Sequence, residues 1–111
     1  MAQSKTSIDL NENAVQLFDR LALLGAELLV QTIKELETGT AKTVSQDDSQ
    51  SSYAPMLSRE LSPMDWEKTV QQLHDQVRGL YPWPAATAEL DGVRCKILRT
   101  VILDKQTGEA P

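Results

Sequence analysis

The chain has 111 residues, 41% apolar and 24% charged, a length and composition that fit one small globular domain with a modest core. Its net charge of -5 and pI near 4.7 rule out the whole chain as an electrostatic magnet for nucleic acid or anionic membrane. A single cysteine, Cys95, excludes an internal disulfide framework and a cysteine-based zinc site within one chain.

Residues 3–10 alternate in a way compatible with one strand, followed by a turn at residues 9–11. From about Glu12 the period changes. Ala14, Leu17, Phe18, Leu21, Leu24, Leu28, Ile33 and Leu36 recur at helical offsets, the stripe of a long amphipathic helix. Asn11 is the expected N-cap and Gly39 the expected C-terminal stop. Leu23, Leu29 and Val30 widen the apolar face, so packing on two sides is expected.

Residues 40–52 are polar and read as a connection, with a short helical turn capped by Asp47. Residues 53–63 mix Tyr53, Met56, Leu57 and Leu61 with Pro55 and Pro63, which predicts an extended linker pinned by its apolar side chains. A second helix follows Asp65, with Trp66, Val70, Leu73, Val77 and Leu80 as its seam and Gly79 and Pro82 as its end. Tyr81, Pro82, Trp83 and Pro84 predict an extended corner. Asp91-Gly92 then marks a β-hairpin between residues 87–90 and 93–97. Residues 101–103 are expected to continue or bend its second strand, and residues 106–109 to form a turn. The fold class expected is α+β.

Several groups invite a chemical reading. Asp47 and Asp48 sit in a Ser/Gln-rich loop, where carboxylates are usually solvated or capping. His74 and Asp75 are neighbours on a helix and so do not face each other, which favours a structural histidine over a general base. Cys95 alternates with basic residues and reads as a small hydrophobe. Arg94, Lys96, Arg99 and Lys105 against Asp104 give residues 92–105 a local +3, while the rest of the chain carries -8. A cationic strand face tracks a phosphate backbone or keeps an edge strand soluble. The five glycines are scattered and make no phosphate-cradling loop. No apolar run approaches the ~20 residues of a membrane helix, and the N-terminus lacks a signal-peptide core. No membrane partner and a cytoplasmic location are expected.

Two stretches are specific. Leu24-Gly25-Ala26-Glu27-Leu28-Leu29, Gln46-Asp47-Asp48-Ser49 and the run from Tyr53 to Glu60 resemble the segment joining the two domains of methionyl-tRNA formyltransferases. Met64-Asp65-Trp66 and the run from Leu73 to Pro84 are similar to that family's Ile-Asp-Trp and Arg-Gly-Leu-x-Pro-Trp-Pro signature. The spacing between the blocks fits as well.

The resemblance implies transfer of a formyl group from 10-formyltetrahydrofolate to the amino group of methionyl-initiator tRNA. It also implies a Rossmann-like catalytic domain and a C-terminal barrel like an oligonucleotide-binding fold. The family's Asn-x-His and Ser-Leu-Leu-Pro motifs are not in this sequence, and its only Asp-Gly is the hairpin turn. The chain is therefore expected to be a fragment, inactive alone, that binds no folate and no metal itself. Residues 1–39 would end the catalytic domain, 40–64 form the linker, and 65–111 open the tRNA-binding domain.

Candidate tRNA contacts are Arg59, Arg78, Arg94, Lys96 and Arg99. Met56 stands where the family often has Lys. For Arg78, bonding linker carbonyls or a carboxylate competes with phosphate contact. Trp66 and Trp83 are expected to anchor an interdomain joint. The alternative is a small non-catalytic module that self-associates through the apolar helix face.

Overall fold

A computed structural model describes residues 2–104. Lys105 and the expected turn at residues 106–109 lie outside the described residues. The chain divides into two compact units. Among the described residues, the first takes 2–8 and Gln16–Pro55; the second takes Asp9–Val15 and 56–104.

The first unit is dominated by helix α1, Ala14–Glu37, whose first two residues belong to the second unit. Its C-terminus closes as the sequence predicts. Gly39 adopts φ +71°, and its N–H donates to Leu36 O while Thr40 N–H donates to Glu35 O. These paired bonds satisfy the last helical carbonyls in a Schellman arrangement. Leu17, Leu24, Leu28 and Thr32 are half-buried along one side, but no residue of α1 is fully buried. Packing on two sides is therefore not realised among the described residues, and Phe18 and Leu23 stand 72% exposed.

Three expectations for the first half of the chain change. Residues 3–10 form no strand; none of them joins a ladder, and a strand without a partner cannot satisfy its backbone. Asn11 lies in a turn rather than capping the helix, which opens at Ala14. Tyr53 and Met56 are almost fully exposed and so do not pin the linker, while Leu57 and Leu61 are about half covered. The Asp47 cap does form: its carboxylate accepts from Ser49 N–H at 3.0 Å and opens a 3-10 turn at Asp48–Gln50.

The second unit is built on helix α2, Val70–Leu80, and a hairpin of β1, Ala86–Leu90, and β2, Val93–Ile97. A capping box starts α2: Gln72 N–H donates to Thr69 Oγ1, and Thr69 N–H donates to Gln72 Oε1. Trp66 is therefore outside the helix. It lies in a turn where Asp65 accepts the N–H groups of Glu67 and Lys68, and it is 49% exposed. Gly79 is interior to α2, and Tyr81 is the C-cap.

The buried face of α2 is His74, Val77 and Leu80, not the seam through Val70. It meets β1, and the core comprises Val77, Leu80, Ala85, Ala86 and Ala88. Residues 81–84 form a tight turn rather than an extended corner, with cis peptide bonds before Pro82 and Pro84. Trp83 is 53% exposed, so neither tryptophan anchors a core here.

β1 and β2 pair antiparallel from Ala86↔Ile97 to Leu90↔Val93. Asp91 and Gly92 both have positive φ, the backbone of a type I′ turn. On the other edge of β1, Thr87 bridges Pro63 in parallel, its N–H donating to Ser62 O at 2.7 Å. Residues 101–103 do not extend β2. The ladder already takes β1 back to Ala86, and Ala85 before it has φ +67°.

A cationic hairpin face and a helix that holds backbone carbonyls

Strand alternation sorts β2 into two faces. Val93, Cys95 and Ile97 lie on one, opposite Leu90, Ala88 and Ala86; Arg94 and Lys96 lie on the other, opposite Glu89 and Thr87. Ala86 and Ala88 are buried, which identifies the first face as the covered one. Arg94 and Lys96 are exposed, as is Arg99 beyond the strand's end. Arg59 is exposed in a separate 3-10 turn, Arg59–Leu61. Lys105 lies outside the described residues. Cys95 is half-buried and free, its Sγ 3.7 Å from Val93 O.

Arg78 behaves differently from the other candidates. Its Nη1 donates to Asp9 O at 3.1 Å and to Glu12 O at 3.0 Å. Nε and Nη2 both reach Asp75 Oδ1 at 2.8 Å. The Arg78 hydrogen bond, with a further one from Gln71, holds the Asp75 carboxyl below its ordinary pKa. Of the two roles open to Arg78 in the sequence, carbonyl and carboxylate bonding is the one its geometry serves.

One turn earlier on α2, His74 is 4% exposed. Its Nε2 lies 3.0 Å from Leu10 O and its Nδ1 2.8 Å from Thr100 Oγ1. A carbonyl only accepts, so Nε2 donates to Leu10 O, and Nδ1 pairs with the Thr100 hydroxyl, which can donate or accept. His74 is thus a satisfied structural histidine. Asp75 bonds Gln71 and Arg78 rather than the imidazole. Gln76 extends the pattern, donating from Nε2 to Leu61 O and Pro63 O.

Sequence reasoning did not foresee the roles of Gln76 and Thr100. A usable signal was the spacing of His74 and Arg78, which places two donors on one side of a helix. Among the described residues, no three His, Cys, Asp or Glu side chains are grouped to hold a metal. No helix among the described residues is long and apolar enough to cross a membrane.

Residues 56–111 match the family model described as formyl transferase, C-terminal domain. The chain belongs to this family. Members of the formyl transferase family resemble it well beyond the matched domain. The methionyl-tRNA formyltransferase of Pelobacter propionicus is 44% identical over 104 residues, covering 94% of this chain and 33% of that protein. The one from Bacillus velezensis is 34% identical over all 111 residues, 35% of its own length. The one from Solibacter usitatus is 47% identical over 87 residues, 78% of this chain and 28% of that protein. The chain thus spans about a third of the length of the curated relatives it matches. No finding supports a self-associating module.

Proposed function

We propose that this chain serves a methionyl-tRNA formyltransferase, with residues 1–39 ending the catalytic domain, 40–64 linking, and 65–111 opening an OB-like tRNA-binding barrel. The identities of 34–47% to proteins of that name support this reading. The full enzyme would move a formyl group from 10-formyltetrahydrofolate to the amino group of methionyl-initiator tRNA, in the cytoplasm, at the start of translation. The chain has neither the Asn-x-His nor the Ser-Leu-Leu-Pro motif implied by the resemblance, so no catalytic step is assigned to its residues.

Its own contribution is to hold the tRNA backbone. The observation that carries this is the placement of Arg94 and Lys96, exposed and two residues apart on the uncovered hairpin face of an acidic chain. Arg99 and Arg59 add charge, while Arg78 supports the helix from within. Phosphate contacts position without reading sequence.

A salt titration of initiator-tRNA binding by the full chain tests this. Each lost phosphate contact lowers the slope of log K against log salt by about 0.7–0.9. The double change Arg94→Glu and Lys96→Glu is expected to flatten that slope by about two contacts. An unchanged slope would show that the hairpin face is only a solubility device. Mixed with formyl donor and methionyl-tRNA, the chain alone is expected to give no turnover.

A further inference from the structure

The second unit is discontinuous: Asp9–Val15 joins it across the sequence of the first. What brings the short segment in is a set of side chains on α2. His74 and Arg78 lie one turn apart and bond the carbonyls of Asp9, Leu10 and Glu12. The turn presents these carbonyls because it closes on itself, with Glu12 N–H donating to Asp9 O at 3.2 Å and Asp9 N–H to Glu12 Oε2 at 3.2 Å. Gln76 meanwhile holds the carbonyls of Leu61 and Pro63.

These five carbonyls belong to the two stems of one excursion. Residues 16–55 leave the unit after Val15 and return at Met56. Each bond is made to backbone, so the surface recognises the path of the chain rather than its side chains. Charge assistance from Arg78 and the burial of His74 make these the stronger hydrogen bonds of the set.

We infer that α2 is a clasp whose His74–Arg78 side seats residues 9–12 as an integral strap of the C-terminal module, while Gln76 seats the returning stem. The folded module therefore takes in residues 9–12 of the segment read as ending the catalytic domain, well ahead of residue 56, where the family match begins. Within it, His74 and Arg78 are positioning residues for the lead-in to α1. This role is independent of any tRNA contact.

Amide hydrogen exchange on the full chain, read residue by residue, tests the clasp. In the unaltered protein the Asp9 and Glu12 amides are expected to be protected, although they lie in a short surface turn. Arg78→Met keeps the side-chain stem and removes the donors. It is expected to raise exchange at Asp9 and Glu12 at least tenfold, with Val77 and the β1–β2 amides unchanged. Gln76→Ala is expected to loosen Met64 and Thr87 and to leave Asp9 and Glu12 protected.

Free exchange at Asp9 and Glu12 in the unaltered protein would overturn the clasp. So would an Arg78→Met protein that keeps their protection, or a Gln76→Ala protein that loses it. If Arg78→Met unfolds the whole chain, the ring nitrogens of His74 decide. Proton residence on Nε2 supports the clasp, and residence on Nδ1 alone overturns it, because Leu10 O needs a donor.

Discussion

Arg78 reaches Asp75 through two nitrogens that converge on a single carboxylate oxygen, each at 2.8 Å. The arginine sits one turn further along α2, so the pair braces the helix's last turns while the remaining guanidinium donors reach across to residues 9 and 12.

The pair sets an acid response. The Arg78 hydrogen bond holds the Asp75 carboxyl below its usual value of 3.8. A depressed folded-state pKa contributes stability above the unfolded value, and that stability is lost as pH falls through the folded one. Below about pH 4, the unaltered protein is expected to lose stability more steeply than an Asp75→Asn variant. Urea midpoints from pH 6 down to pH 2 measure this. Parallel curves for the two proteins would refute it. The contribution is small, since Asp75 is 45% exposed.

Removing the capping box should weaken α2 without disturbing its core. Thr69→Ala deletes the acceptor of Gln72 N–H, and such a cap is worth about 1 kcal/mol. Chemical denaturation is expected to show that loss with an unchanged slope against denaturant.

Gly39 carries a backbone demand and no steric one. Nothing lies within 4 Å of a Cβ built there, but φ is +71°. Gly39→Ala should cost roughly 1–2 kcal/mol from conformation alone, read as fraying of the last turn of α1 by circular dichroism. Gly39→Asn should lose less, because asparagine tolerates this region.

The core of the second unit is small enough for one residue to matter. Val77 is 1% exposed, and the other buried apolar residues are Leu80 and the alanines at 85, 86 and 88. Val77→Ala removes two methyl groups and is expected to cost about 2 kcal/mol, with a cavity added to the transfer loss. Thermal unfolding checks this. A change of only a few tenths would mean that the site collapses onto the gap.

What could be read in advance follows the range of the interaction. The end of α1 at Gly39, the Asp47 cap and the Asp91-Gly92 turn are local, written in residue types at fixed offsets. The strand expected at residues 3–10 needed a partner that alternation alone does not supply. On α2 the seam turned toward His74, which hydropathy counts as polar but which two hydrogen bonds make at home in the core. For the candidate site, strand alternation gave the shared face of Arg94 and Lys96. The partners of His74, Gln76 and Arg78 stayed hidden because they are mostly backbone carbonyls, and every residue has one.

The seat for residues 9–12 has a consequence in time. Arg78 lies 69 residues after the Asp9 carbonyl it binds, an interval a ribosome needs roughly 3–14 s to translate at about 5–20 residues/s. Through that interval the lead-in and the apolar side chains of α1 exist before the helix that will hold the lead-in. A slow stretch of codons between positions 15 and 70 lengthens the wait.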